Sequence, residues 1–263
     1  MAPEAAVAHA DEWLLVINKP AGVSLATRRD EPMAAARRLF DALPPAEQEA
    51  LAATRDTLLL VHRLDVGTSG LVVLARDPAV HRQLVEAFAM RRVRKTYVAL
   101  VWGRPLPRSG CWTWPLGPDR SDRRRMRVDP EGRTALSEYL VVGGPRFASL
   151  VMLRPATGRT HQLRVHLAHA GHPIIGDDLY GGPRHRGVRD ATVRRALQPG
   201  HPLLHAWRLT IPGLADRAPL ALEAAPPAEF LRAMTALGLS ALAEPPWDSG
   251  ISALPIGFDW GGD

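Results

Sequence analysis

Apolar runs of strand length recur along this chain in neighbouring groups, not in strict alternation with helical patterns. They lie at residues 13–17, 58–61, 71–75, 95–102, 134–142, 147–153 and 203–211. A doubly wound parallel sheet needs a crossover helix between consecutive strands, so this order points to an α+β domain with a mixed, mostly antiparallel central sheet and flanking helices. Residues 95–102 (KTYVALVW) are β-branched and aromatic, as a strand requires. Residues 134–142 and 147–153 read as a hairpin across Gly143-Gly144-Pro145. The helical pattern is sparser. Met33, Ala36, Leu39, Phe40 and Leu43 recur at helical spacing and stop before Pro44-Pro45. Residues 78–90 begin with Pro at a first turn. In residues 160–170, Leu163, Leu167 and Ala170 form one apolar stripe with Thr160 as N-cap. Residues 227–237 suggest a short last helix. Residues 1–10 are Ala-rich and expected to be loose. Residues 104–133 are rich in Pro, Gly and Arg, a connection with at most short strands. The pattern fades after Gly238, so residues 238–263 are expected to be an irregular tail. One catalytic domain is thus expected over residues 11–237.

Charge and cysteine usage narrow the function classes. The formal net charge is +6, which favours a polyanionic partner, nucleic acid or an anionic membrane surface. An Arg-rich, Ala-rich composition also fits a GC-rich coding sequence. The single cysteine, Cys111, excludes an internal disulfide and a Cys-rich zinc site. The first residues lack a basic segment followed by an apolar core, and no run approaches about 18 apolar residues. A cytoplasmic protein without membrane association, and a monomer, is the expectation. His161, His166, His169 and His172 lie close together in sequence, yet no HExxH pattern accompanies them. No P-loop, no GxGxxG after a strand and no GxSxG elbow occurs either, so neither metal nor cofactor is expected.

Three segments carry candidate chemistry. The first is His62-Arg63-Leu64-Asp65-Val66-Gly67-Thr68-Ser69-Gly70-Leu71, a polar loop between two apolar strands. Such strands can fix a carboxylate and a guanidinium two residues apart at a cleft. An Asx turn paired with Arg63 is the ordinary alternative. The second is Lys95-Thr96-Tyr97, where the tyrosine offers a stacking face and a phenol. The third, residues 154–164, feeds a glycine turn into a donor-rich helix start that attracts anions. Arg164 lies at the edge of the apolar stripe, within reach of a cleft.

Together these segments resemble the RluA family of pseudouridine synthases. The resemblance rests on HRLDxxTSG, TGRTHQLRVH and GHPIIGDxLY in that order, with Asp11–Gly22 as the opening strand and turn, and it spans about residues 11–223. It implies an RNA-binding cleft across the sheet. It also implies Asp65 as the essential aspartate, Tyr97 as the active-site tyrosine, Arg164 as the partner of Asp65, and Arg63 as the residue that displaces the target nucleotide. Matching begins at Asp11, which leaves no room for the N-terminal S4 domain that many relatives carry. The catalytic domain itself is then expected to grip the RNA, a ribosomal or transfer RNA stem-loop, through Lys95, Arg159, His161, Gln162, Arg123, Arg124 and Arg125. The competing reading is a non-catalytic RNA-binding or ribosome-assembly factor on the same scaffold. A pure binder has no need of Asp65, Tyr97 and Arg164 together. A hydrolase using Asp65 with the histidines finds no supporting spacing.

Overall fold

The computed structural model describes residues 4–26, 31, 33–214 and 217–242. The chain opens with strands β1 (Ala6–Ala10) and β2 (Leu14–Lys19), then helices α1 (Ala34–Phe40) and α2 (Pro45–Ala50). Strands β3 (Leu59–Leu60) and β4 (Ser69–Ala75) follow, then helix α3 (Pro78–Ala89) and strand β5 (Arg94–Trp102). The Arg-rich connection holds three short strands, β6 (Ser109–Trp112), β7 (Leu116–Pro118) and β8 (Met126–Val128). The expected hairpin is β9 (Ser137–Gly143) and β10 (Ala148–Pro155). Helices α4 (Gln162–His169) and α5 (Ala191–Ala196) lead to β11 (Leu204–Ile211), β12 (Leu220–Glu223) and α6 (Ala228–Ala236).

Ten strands form one sheet, in the order β1-β2-β4-β11-β5-β10-β9-β6, with β3 beside β4 and β12 beside β11. All its pairings are antiparallel except β4 with β11, which run parallel at Ser69↔His205 and Gly70↔Ala206. The α+β architecture expected from strand grouping is therefore present.

Alternation along β2 and β4 covers both faces of the sheet. Leu15, Ile17, Val72 and Leu74 join Leu39 and Phe40 of α1 in one core. Leu14, Val16, Leu71 and Val73 join Leu84 and Ala87 of α3 in a second. Because strand side chains alternate faces, a strand buried on both reads as a continuous apolar run. Each such aliphatic side chain contributes roughly 1.5–3 kcal/mol by leaving water. Helix α3 is set by its cap. The Asp77 carboxylate accepts from the N–H groups of Ala79 and Val80 at 2.7 and 3.1 Å, and Pro78 occupies the first turn, both favoured there.

Three expectations need correction. Residues 6–10 are not loose: they form β1, and the Ala5 N–H donates to the Ala42 carbonyl at 3.0 Å. Thr160 does not cap α4; His161 holds that position with φ 55°. The tail is packed where it begins, since Leu239 is buried and residues Ser240–Leu242 form a 3-10 turn. Residues 243–263 of that tail lie outside the described residues, as do residues 1–3.

Candidate active site

Strands β4 and β5 flank β11 and deliver the central groups. The loop before β4 carries Asp65, and β5 carries Tyr97. The Thr68 N–H donates to the Asp65 carbonyl at 3.0 Å, a tight turn that fixes where the carboxylate points. A side chain at Gly67 would meet Pro202 Cδ at 2.8 Å, so the turn rests against the approach to β11. At Gly70 (φ 114°) any Cβ would collide with the Ala206 backbone, and only glycine allows the two strands this close.

Behind the loop, Lys19 is fully buried and Nζ donates to the carbonyls of Pro20, Val23 and Val66 at 2.9, 3.0 and 3.2 Å. Three acceptors meet three ammonium protons. The lysine thereby ties the turn after β2 to the Asp65 loop. Burial lowers its pKa to about 8 against the pull of the Asp65 carboxylate.

The loop's far end is fixed by a buried histidine. The Ser69 hydroxyl donates to His205 Nδ1 at 2.9 Å, and His205 Nε2–H donates to the Ala224 carbonyl at 2.8 Å; these partners assign the tautomer. Burial holds its pKa down at about 4, below the ordinary 6.5, the Ala224 bond notwithstanding. Between those values the unfolded chain binds the extra proton, so stability falls as pH drops from 6.5 towards 4. Thermal melts are expected to show that decline, and a His205→Asn protein to show less of it. Equal pH slopes for the two proteins would exclude His205 as a source.

Helix α4 brings Arg164, whose side chain is 9% exposed. Its Nε and Nη2 donate to Asp177 Oδ2 and Oδ1 at 2.7 and 2.8 Å, a two-pronged pair, while Nη1 lies 3.7 Å from Asp65 Oδ2. The expected pairing of Arg164 with Asp65 is present, but as a charge contact longer than a hydrogen bond. The strong fork goes to Asp177, which is 1% exposed. Burial opposes the Arg164 charge, and the bonds and charge of Asp177, with Asp65 behind, more than offset it.

Tyr180 ties this centre to the β7–β8 hairpin. Its ring lies under the guanidinium groups of Arg164 and Arg125, at 5.0 and 5.4 Å. Its hydroxyl accepts from the Met126 N–H at 2.8 Å and bonds His161 Nδ1 at 2.7 Å. Neither Asp177 nor Tyr180 was among the site residues expected from sequence. Tyr97 is buried, and that burial, with the Asp65 charge, pushes its phenol above the ordinary range. It stays protonated at neutral pH.

Asp65, Tyr97 and Arg164 line a cleft of about 1610 Å³. Small-molecule pockets run to roughly 300–1,000 Å³, so this one suits a segment of polymer. Arg63, Asp65, Lys95, Tyr97, Arg159, His161, Gln162 and Arg164 all line it. Lys95 Nζ lies over the Phe88 ring at 5.8 Å, and Arg159 Nε donates to the Thr134 carbonyl at 3.0 Å. Gln162 is a correction. Its amide accepts from Thr157 Oγ1 and the Arg159 N–H and donates to the Leu136 carbonyl and Ser137 Oγ. All four bonding sites are used, so it frames the glycine turn and has none left for RNA. Arg123, Arg124 and Arg125 lie outside the cleft lining. Arg124 pairs with Asp122 at 2.7 Å, and Arg125 Nε is buried without a hydrogen-bond partner among the described residues. His166 and His172 bond Ser137, Trp114 and Trp102 at 3.0 Å, and among the described residues no three His, Cys, Asp or Glu side chains are grouped as metal ligands.

Basic walls around a carboxylate describe an RNA-modifying enzyme better than a pure RNA binder, to which a negative charge facing its anionic ligand is only a loss of affinity. Known proteins narrow that class. The family model described as RNA pseudouridylate synthase matches residues 13–169. The dual-specificity RNA pseudouridine synthase RluA of Escherichia coli K12 is 37% identical over 216 residues, covering 80% of this chain and 87% of that one. An uncharacterised RNA pseudouridine synthase of Bacillus subtilis, YhcT, is 36% identical over 195 residues, 73% of this chain and 63% of the other. The solved structure of human RNA pseudouridylate synthase domain containing 4 superposes with a TM-score of 0.68 at 28% identity, covering 88% of this chain and 92% of that one. The chain belongs to the RNA pseudouridylate synthase family, whose reaction turns uridine in RNA into pseudouridine.

Proposed function

We propose that this enzyme acts in the cytoplasm on uridines in stem-loops of large-subunit ribosomal RNA or transfer RNA, with Asp65 as the group that works on the ribose. The observation that carries the reading is Asp65 and Arg164 lining a basic, RNA-sized cleft, with Asp177 holding Arg164 from behind. The choice of RNA rests on the relative named for dual specificity. A stacked base does not reach a carboxylate at that depth, so the uridine is flipped into the cleft. Arg63, exposed on the Asp65 loop, fills the gap left in the stack.

In the reaction the N1–C1′ bond breaks and a C5–C1′ bond forms. C5 loses its proton and N1 gains one. No electrons leave the uridine. Asp65 either attacks C1′ or removes a sugar proton to give a glycal. Tyr97 presents a ring face and an O–H to the uracil. A phenol kept protonated by burial and by the Asp65 charge serves for stacking and donation to the uracil. Lys95, Arg159 and His161 line the walls beside the base, and Arg123 and Arg124 meet phosphates beyond the cleft.

The test is pseudouridine mapping by carbodiimide-dependent reverse-transcription stops on total RNA. Cells with the gene deleted, restored, and restored as Asp65→Asn are compared. A stop that vanishes on deletion and returns only with intact Asp65 is the expected result, and it names the RNA. A stop that returns with either form would instead favour a non-catalytic RNA-binding role for this chain.

A further inference from the structure

One wall of the cleft is made by residues to which nothing above gives a role. Helix α3 ends at Ala89 with Met90 as its C-cap, and the chain passes through Arg91, Arg92 and Val93 into β5 at Arg94. Arg91, Arg92 and Arg94 are exposed and line the cleft. Elsewhere Arg37, Arg55, Arg124 and Arg208 each have a carboxylate partner. Among the described residues these three have none within ion-pair distance.

The backbone here is also unusual. The Arg92 N–H donates to the Ala87 carbonyl at 2.9 Å and the Arg91 N–H to the Phe88 carbonyl at 3.1 Å. That pair of bonds is the Schellman ending of a helix, which places its pivotal residue in the left-handed region and ordinarily fills it with glycine. Here the pivotal residue is Arg91, with φ 57°. Any Cβ is strained there. Arg91 thus takes a strained backbone conformation while its side chain lines the cleft.

We propose that the Arg91–Arg92–Arg94 turn is a second phosphate-binding wall, which holds the sugar–phosphate backbone of unpaired nucleotides flanking the target uridine. Arg94 opens β5 three residues before Tyr97, and although strand side chains three apart point to opposite faces, both residues line the cleft. The cleft lining contains few carboxylates, Asp65 and Glu138, so a polyanion passes along this wall without meeting an opposing charge. This inference rests on the reading that the cleft takes RNA.

The experiment compares the full-length parent, Arg91→Gly, and the triple variant Arg91→Gly/Arg92→Gln/Arg94→Gln. Filter binding to transfer RNA and fragmented ribosomal RNA from the deletion strain is measured across a salt series. Single-turnover pseudouridine formation is measured at saturating enzyme. Three lost phosphate contacts are expected to weaken binding by roughly 50-fold or more near 0.15 M salt and to lower the log–log salt slope by about two. The saturated rate should stay within about twofold, since a group that only holds the RNA does not change chemistry once it is bound. Arg91→Gly should melt no lower than the parent and still bind about fourfold more weakly. Should the triple variant fold poorly, that single variant decides. Unchanged affinity and salt slope would overturn the proposal, as would a collapsed saturated rate at unchanged affinity. If the parent makes no pseudouridine while the variants lose binding, the wall stands and the isomerase reading falls.

Discussion

The Asp65→Asn protein is expected to fold, to bind RNA at least as tightly as the parent, and to make no pseudouridine. The exchange keeps the side chain's shape. Arg164 keeps its two bonds to Asp177 at 2.7 and 2.8 Å, so the floor of the cleft keeps its geometry. Removing a negative charge from a basic cleft does not weaken the hold on a polyanion. The loss falls on chemistry, because an amide neither attacks C1′ nor takes a proton from the sugar. Removing a group that acts on the reacting atoms lowers turnover on the order of 10⁴-fold or more. The measurement is tritium released in a single turnover from RNA labelled at uridine C5, since C5 must lose its hydrogen. Release within roughly tenfold of the parent rate, about 1.4 kcal/mol of barrier, would remove Asp65 from the reaction.

Asp177→Ala should produce the next largest effect, and stability registers it first. Asp177 and Arg164 are 1% and 9% exposed. Deleting one partner of a buried pair strands the other's charge, at a cost of about 3–5 kcal/mol. For a chain of this length that lowers Tm on the order of 10 °C. Turnover falls as well, because the released guanidinium is free to move towards Asp65, now 3.7 Å away. Adding Arg164→Met to Asp177→Ala removes the stranded charge, and the double variant should regain stability without regaining activity. Thermal melts and single-turnover rates on the three proteins separate the two losses. A single variant as stable as the parent would contradict the buried-pair account.

Much of this was legible in the residues. Periodicity found β2, β4, β5, β10 and β11 because each is buried along nearly its whole length, and β9 because buried and half-buried residues alternate along it. It missed β1, whose residues alternate between exposed and half-buried at the sheet edge, and α2 and α5, which have no buried residue. Strands and helices that bury little leave no apolar signature. Asp65, Tyr97 and Arg164 were readable as a set and meet at one cleft. Asp177 was not singled out, though it sits in the segment Gly176-Asp177-Asp178-Leu179-Tyr180, which the resemblance had covered. Its role depends on the turn that folds residue 177 back onto α4, a tertiary fact with no local pattern. Gln162 failed for the opposite reason. A polar residue at a donor-rich helix start looks available until its four internal partners are seen.

The seat of β11 between β4 and β5 also sets a timetable for synthesis. The strands that present Asp65 and Tyr97 are made early, yet the strand that spaces them ends at Ile211. Until it emerges, the backbone edge at Ser69 and Gly70 has no partner in that seat, and the aspartate and tyrosine have no fixed relation. A chain halted before residue 204 would hold both groups and have no working site. Topology alone thus withholds a working site until β11 is in place.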